Sequence, residues 1–264
     1  MSPDPLVASN PPGPGTGPLL PGECHIWWAS ATRPEQQLVG SLDSVELGRL
    51  TGYHHGADRV RFATARILLR TVAAGYLGTG PGHVQVVARC PDCPKPHGRP
   101  TLPGTGLEVS ISHAGDLVAV AVTAVGPVGI DVEHIDPELS TADLLPHVLS
   151  EVEREASAVD TGFGFHRMWT RKEAVLKATG DGLRVPLSGL GVSAPDAEPR
   201  LLFLDGSTRP VERFVMADLD AGAGYAASIA VIGAGPVRFV AFHGDGLLDR
   251  SLAAAPALGR GVRV

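Results

Sequence analysis

The chain carries one pattern of predicted elements twice, and this repetition limits its fold more than any other feature does. Each cycle runs from a strand through helices to an antiparallel pair of strands. The long helices of the two cycles also share a spacing of large and charged residues: Phe62-x3-Arg66-x3-Arg70 and Trp169-x3-Glu173-x3-Lys177. We therefore predict an α+β protein of two similar α/β halves related by a pseudo-twofold axis, with a ligand-binding cleft between them.

Hydrophobic periodicity, glycine and proline predict the individual elements. The predicted helices are residues 43–51, 57–76, 141–159 (in two pieces around Pro146) and 163–179. The predicted strands are residues 25–29, 83–88, 107–112, 117–123, 128–133, 211–219, 225–232 and 237–242. We expect residues 211–219 and 225–232 to pair as a hairpin.

The first 20 of the 264 residues are dominated by proline and glycine, which predicts a disordered tail. The rest divides into an N-terminal half, residues 21–126, and a C-terminal half, residues 127–264. No apolar run approaches the roughly 20 residues that a membrane helix needs, and no secretory signal is visible. Three cysteines are too few for a disulfide framework, so we expect a cytoplasmic protein without a membrane partner.

The charge is distributed unevenly along the chain. The net charge of −6 argues against a general nucleic-acid-binding protein. Residues 54–100, however, hold seven basic and two acidic side chains. A basic segment within an acidic chain suits a small anionic ligand, although uneven surface charge without a function gives the same count.

The sequence VGIDVE at residues 128–133 predicts a strand whose alternate residues face opposite sides. Asp131 and Glu133 then share one face, where their oxygens suit a single hard divalent cation. Gly129 on that face leaves room for a ligand. The alternative is the solvent-exposed face of an edge strand, which is common for a lone D-x-E pair.

The helix predicted at residues 163–179 carries charges within its apolar sector. Lys172 and Glu173 lie in the sector of Met168 and Trp169, and buried charges are costly unless they are paired or bind something. We interpret Glu173 as a third metal ligand, Lys177 as a contact to a phosphate oxygen and Trp169 as core packing. The alternative for Glu173 and Lys177 is an ordinary i, i+4 ion pair on the helix.

Polar residues also end a predicted strand in the segment GRPTLPGTGLEVSISHAGD, residues 98–116. Arg99, Ser112 and His113 could receive a nucleotide phosphate there. A hydrolase triad of Ser112, His113 and Asp116 is the alternative. It is disfavoured because no G-x-S-x-G motif is present and triad residues are rarely neighbours in sequence.

The loop that follows Ala88 contains Cys90-x2-Cys93-x3-His97. Three soft ligands at this spacing could hold zinc, with Cys24 or His25 as a distant fourth ligand. The alternative is a proline-rich loop with two free thiols, because a single CxxC is a weak signal.

The ordered set GRP, SISHAGD, GIDVEHI and FHRMWTRKEAVLKATGDGL resembles the 4′-phosphopantetheinyl transferases of the Sfp type over about residues 58–187. Their signature is G-x-D-x-E followed by W-x-x-K-E-x-x-x-K, and both parts are intact here. The resemblance implies a pseudo-dimeric α+β fold, coenzyme A as donor and Mg²⁺ as metal, with Mn²⁺ not distinguished. It implies as acceptors the apo acyl or peptidyl carrier proteins of polyketide, nonribosomal peptide or fatty acid synthesis.

The resemblance also implies a role for each site residue. Asp131, Glu133 and Glu173 would hold the metal on the pyrophosphate of coenzyme A, with Glu173 as general base. Lys177 would contact the phosphate and protonate the leaving 3′,5′-ADP. Further contacts to coenzyme A would come from five residues: Arg66, Arg99 and His113 at the 3′-phosphate end, Ser112 at the nucleotide and Lys172 beside the pyrophosphate.

Two other functions are compatible with these residues. One is a non-catalytic module that binds coenzyme A or a nucleotide, which the presence of every motif carboxylate and lysine disfavours. The other is a metal-dependent nucleotide phosphohydrolase, which would need a route for water and no carrier protein. The internal repeat favours a monomer, and the resemblance suggests a place in secondary metabolism.

Overall fold

A computed structural model describes residues 17–90, 92–93, 95–136, 141–156 and 162–254. It confirms a mixed α+β fold. Most of the predicted tail, residues 1–16, lies outside the described residues. Within these ranges, no helix combines the length and the apolar composition of a bilayer-spanning segment. The boundary of the halves at residue 127 and their pseudo-twofold relation stay predictions.

Strands and helices are interspersed along the chain. The strands are β1 (Glu23–Ser30), β2 (Glu108–Ala114), β3 (Leu117–Thr123), β4 (Val128–His134), β5 (Leu190–Val192), β6 (Leu201–Leu204), β7 (Phe214–Asp218), β8 (Tyr225–Ile232) and β9 (Arg238–His243). The helices are α1 (Glu35–Leu38), α2 (Ser44–Leu50), α3 (Gly56–Leu77), α4 (Leu145–Val148), α5 (Glu151–Ala156), α6 (Phe163–Thr179) and α7 (Asp245–Ala254).

The strands form two main sheets that pack against each other. The first has the order β2–β3–β1–β9, with β9 parallel to β1, so a C-terminal strand completes the sheet in which β1 lies. The second has the order β4–β8–β7, and its β7–β8 pair is the predicted hairpin. Strands β5 and β6 make a separate two-stranded sheet.

Alternation along β1 places the core on both faces of the first sheet. Trp27 and Ala29 pack in the cluster that holds the buried face of α3. Ile26 and Trp28 point the other way, into a cluster shared with β4 and β8. Helix α6 covers the second sheet, because its buried side chains form a third cluster with residues of β7 and β8. The order of layers is therefore α3, first sheet, second sheet, α6.

The edges of the two sheets are joined by serine hydroxyls. Ser110 accepts a hydrogen bond at 3.1 Å from the backbone N–H of Ile130, and Ser112 accepts one at 3.2 Å from that of Val132. These bonds hold the end of β2 against β4, so residues predicted in separate halves lie side by side.

Two of the predicted elements need correction. Residues 83–88 do not form a strand: a 3₁₀ turn covers Pro81–His83, and Val87 makes only an isolated bridge with Thr101. The proline-rich loop that follows offers no continuous partner strand, so β propensity alone does not suffice. Residues 141–159 do contain two helices, but the break falls between α4 and α5, because proline is tolerated in the first turn of α4. Residues 157–159 lie outside the described residues.

Candidate functional site

A close approach between α6 and β4 creates the site. A Cβ atom on Gly129 would lie 2.0 Å from the carbonyl oxygen of Ala174 and 2.4 Å from the amide nitrogen of Ala178. No side chain fits there unless the helix moves. The prediction that Gly129 leaves room for a ligand is therefore wrong, since the backbone of α6 fills that space. This contact places the charged side chains of α6 beside the carboxylates of β4.

The alternation predicted for β4 is confirmed. Val128, Ile130 and Val132 are buried in the cluster between the sheets. Asp131 and Glu133 point to the opposite face, which α6 covers. The alternative of a solvent-exposed strand face is excluded for Asp131, whose relative exposure is 3%.

Asp131 is held by two partners from different elements. Its Oδ1 accepts hydrogen bonds from the ammonium of Lys177 at 2.6 Å and from the hydroxyl of Ser112 at 2.9 Å. Ser112 also accepts a hydrogen bond at 3.0 Å from Lys177. The second oxygen, Oδ2, is buried without a hydrogen-bond partner. A buried carboxylate oxygen in this state is costly, and a bound cation would satisfy it.

Glu133 and Glu173 complete an acidic cluster around Lys177. Burial and the charge of Asp131 raise the pKa of Glu133 to about 7, although Lys177 and the indole of Trp169 oppose the shift. Burial and Asp131 also raise the pKa of Glu173. Trp169 packs against the core beneath α6, as predicted.

The donor set fits a divalent cation in charge and chemistry. Three carboxylates face one ammonium, and oxygen donors are what Mg²⁺ and Mn²⁺ prefer. Among the described residues, the side chains whose metal-binding atoms already lie within 4.8 Å of one another are a different group, Cys90, Cys93 and His97.

Arg66 and His113 meet at one small cavity, of about 120 Å³. The Arg66 guanidinium is buried and donates a hydrogen bond at 2.7 Å to Glu46, which is part of the N-terminal capping box of α2. Burial and the nearby charge of Lys177 lower the pKa of His113, so its imidazole is neutral at pH 7. The cavity thus presents a buried cation and a neutral donor.

Arg99 lies between Gly98 and Pro100, two residues that line the same cavity. Its guanidinium donates to the carboxylate of Glu108 at 2.5 Å and to the carbonyl oxygen of Ala178 at 3.3 Å. Its Nε is buried without a partner. Arg99 therefore connects the loop before β2 to the C-terminal end of α6.

Lys172 does not lie beside a pyrophosphate site, and the role implied for it needs correction. Its side chain is fully buried. The ammonium donates to four oxygens at 2.6–3.0 Å: Glu153 Oε2 and the carbonyl oxygens of Val148, Leu187 and Leu190. These bonds close the ammonium off from any ligand and tie α6 to α5 and β5.

Arg171 was not among the predicted site residues, yet it is as deeply buried as Lys172. Its guanidinium donates to both carboxylate oxygens of Asp218, at 2.9 and 2.6 Å, and to backbone carbonyls within residues 193–197. Its position beside Lys172, within the apolar sector of α6, was the available signal. The pair fixes α6 on β7 and so supports the face that carries Glu173.

Comparison with known proteins finds a family match that covers the two elements of the site, β4 and α6. Residues 127–230 match the 4′-phosphopantetheinyl transferase superfamily, and this range contains β4 and α6. Over 203 residues the chain is 33% identical to the 4′-phosphopantetheinyl transferase HetI of a Nostoc species, covering 72% of this chain and 82% of that relative. The chain belongs to the 4′-phosphopantetheinyl transferase superfamily.

Further relatives agree with this membership. A 4′-phosphopantetheinyl transferase of Bacillus subtilis is 25% identical over 61% of this chain and 70% of its own length. A putative 4′-phosphopantetheinyl transferase of Synechocystis is 28% identical over 67% and 72% of the two chains. The resemblance noted from the sequence is thus confirmed for the superfamily, which makes the chain a transferase by class. Arg66, Arg99, Ser112 and His113 lie outside the range of the superfamily match.

Proposed function

We propose that the chain transfers the 4′-phosphopantetheine arm of coenzyme A to a serine of apo acyl or peptidyl carrier proteins and releases 3′,5′-ADP. The observation that supports this most is the cluster on β4 and α6, where Asp131 has a buried, unpartnered oxygen beside the ammonium of Lys177. Superfamily membership supports the class of group that is transferred. The pseudo-twofold arrangement, with this cluster in the cleft, belongs to the same proposal.

Asp131, Glu133 and Glu173 would hold the divalent cation, Mg²⁺ or Mn²⁺. When bound, the cation would neutralise charge on the pyrophosphate of coenzyme A. The raised pKa values of Glu133 and Glu173 agree with this assignment: burial is their main cause and the charge of Asp131 the second, and a bound cation would stabilise the ionised form of both carboxylates.

The chemistry is a phosphoryl transfer. The carrier serine oxygen forms a bond to the β-phosphorus of coenzyme A, and the bond from that phosphorus to 3′,5′-ADP breaks. Glu173 accepts the serine proton, and its raised pKa makes it a better base than an exposed glutamate. Lys177 stabilises the charge that develops on the leaving phosphate and donates a proton to it.

The remaining residues would orient the donor. Arg66, Arg99 and His113 would bind the 3′-phosphate end, and Ser112 would contact the nucleotide while it holds Asp131 in place. The shared cavity of Arg66 and His113, with Arg99 at the adjoining position, supports this grouping. Lys172 has no part in the reaction, because its ammonium is already satisfied within the protein.

The deciding experiment measures the mass of an apo carrier domain after incubation with the protein, coenzyme A and Mg²⁺. We expect the carrier to gain one phosphopantetheine arm, and we expect neither EDTA-treated samples nor the Glu173→Gln variant to produce it. Absence of the adduct on acyl and peptidyl carriers alike would overturn the proposal. Intact coenzyme A would then indicate a binding module, and hydrolysed coenzyme A a phosphohydrolase.

A further inference from the structure

The loop that precedes Arg99 closes on itself through its backbone. Val87 and Thr101 exchange hydrogen bonds at 3.0 and 2.8 Å, and the N–H of Gly98 donates to the carbonyl oxygen of Ala88 at 3.1 Å. These bonds bring the first and last parts of the loop together. A short loop closed in this way presents its side chains over a small area.

Gly98 is required for this closure. A Cβ atom at this position would lie 1.9 Å from the carbonyl oxygen of Arg89, so any other residue would push the two sides of the loop apart. The glycine therefore allows the backbone next to His97 to lie directly against the backbone next to Cys90.

The result is a convergence of three metal-binding atoms. A sulfur of Cys90, a sulfur of Cys93 and a ring nitrogen of His97 all lie within 4.8 Å of one another. Cys93 Sγ is already 3.0 Å from His97 Nε2. In a tetrahedral zinc site with Zn–S bonds of about 2.3 Å, two sulfurs lie about 3.8 Å apart, so small side-chain rotations suffice.

We propose that Cys90, Cys93 and His97 bind a zinc ion, with a water molecule as the fourth ligand. Thiolate and imidazole donors select zinc over the Mg²⁺ that the carboxylate cluster suits. Among the described residues, no further histidine, cysteine or carboxylate joins the group. Cys24, predicted as one possible fourth ligand, is fully buried in the core between the sheets. His25, the other, hydrogen-bonds to Tyr76 and Glu23.

The zinc ion would fix the segment that leads into Arg99. His97 and Arg99 are separated only by the constrained Gly98, and the guanidinium of Arg99 reaches the carbonyl oxygen of Ala178 at the end of α6. Cys90 and Cys93 also line a larger cavity, of about 720 Å³, together with Arg66. Metal binding would therefore stiffen one wall of this cavity.

The test uses the full-length, untagged protein purified under reducing conditions. We expect about one zinc per chain by plasma mass spectrometry, and X-ray absorption with two sulfur neighbours at about 2.3 Å and lighter neighbours at about 2.0 Å. After exchange with Co²⁺, a thiolate-to-cobalt charge-transfer band should appear, which binding at the carboxylate cluster cannot produce. Cys93→Ser and His97→Ala should lose the zinc and the band, whereas His97→Cys should regain both with a shifted spectrum.

Matched controls separate metal loss from misfolding. His83→Ala removes an exposed histidine that lines the same larger cavity, and Cys24→Ala removes a thiol outside the group. Both variants should keep the zinc, and circular dichroism should show all variants folded. A protein that lacks zinc and takes up none, or a Cys93→Ser variant that keeps it, would overturn the proposal.

Discussion

The ammonium of Lys177 lies 2.6 Å from Oδ1 of Asp131, a residue 46 positions earlier in the chain. The helix neighbour Glu173, four residues away, is not its salt-bridge partner among the described residues. Lys177 therefore forms an ion pair that joins α6 to β4, and not the i, i+4 pair within the helix that was the alternative. Lys177 is the single ammonium within a cluster of three carboxylates, and this position determines what its removal should do.

We expect Lys177→Gln to lower kcat/KM for carrier modification by about 100-fold or more, because a positioned charge at the transferring phosphate is lost. The rate of carrier modification, followed by mass, measures this. Lys95→Gln makes the same chemical change at an exposed loop position and should leave the rate unchanged. Equal rates for the two variants would show that Lys177 does not take part in the reaction.

Glu173→Gln should abolish transfer more completely than Arg99→Ala does. The first change removes a base and a cation ligand, with an expected loss in kcat of about 10²–10⁴-fold. The second removes a charge-assisted contact to coenzyme A, with a smaller loss that appears mainly in KM. Steady-state kinetics separate the two, and Glu151→Gln on the exposed surface of α5 serves as the control. Equal losses would contradict the assignment of Glu173 to the metal.

Gly129→Ala should destabilise the protein by about 1–3 kcal/mol, because the added methyl group overlaps the backbone of α6. Activity should fall as well, since the helix that carries Glu173 and Lys177 must move. Urea unfolding measures the first effect. Gly48→Ala is the matched control: nothing lies within 4 Å of the new atom in α2, so the free energy of unfolding should rise slightly. Similar results for both variants would refute the close approach.

Lys172→Met should cost about 3–5 kcal/mol of unfolding free energy, because it leaves the carboxylate of Glu153 buried without its cation. The double variant with Glu153→Gln should recover part of that loss. Whichever of these two variants remains folded should have the same KM for coenzyme A as the wild type, measured below the variant's unfolding temperature. A raised KM with unchanged stability would instead show that Lys172 contacts the pyrophosphate of coenzyme A.

Glu133 should make both stability and metal binding depend on pH. Its pKa rises from 4.5 to about 7 on folding, so the folded state binds the extra proton between these values. Without metal, its contribution to the free energy of unfolding is present below pH 4.5 and is lost as the pH rises through 7. Urea unfolding of the wild type and of Glu133→Gln should diverge accordingly over this range.

Mg²⁺ binding should show the opposite trend, because the cation needs the ionised carboxylate. Calorimetry should find weaker Mg²⁺ binding at pH 6 than at pH 8, with proton release on binding. Binding that is independent of pH would show that Glu133 is not a ligand.

The elements that hold the cluster were largely predictable from the sequence. Strict alternation in β4 separated Asp131 and Glu133 from the valines and isoleucine, and apolar spacing with Gly180 defined α6 to the residue. These signals are local, since each depends on neighbours within a few positions. The signature is likewise a matter of spacing along the chain, and comparison with relatives confirmed the superfamily membership that it predicted.

The sequence by itself determined which charges occur on β4 and α6, and the tertiary structure decided what each charge does. Lys172 and Glu173 are adjacent in one helical sector. The ammonium of Lys172 nevertheless donates hydrogen bonds to four buried oxygens, whereas Glu173 faces the carboxylates of β4. Gly129 allows the backbone of α6, a helix that begins 34 residues later, to pack directly against β4. The physical reason is that periodicity fixes the direction of a side chain on its own element, whereas its partner depends on which other element packs there.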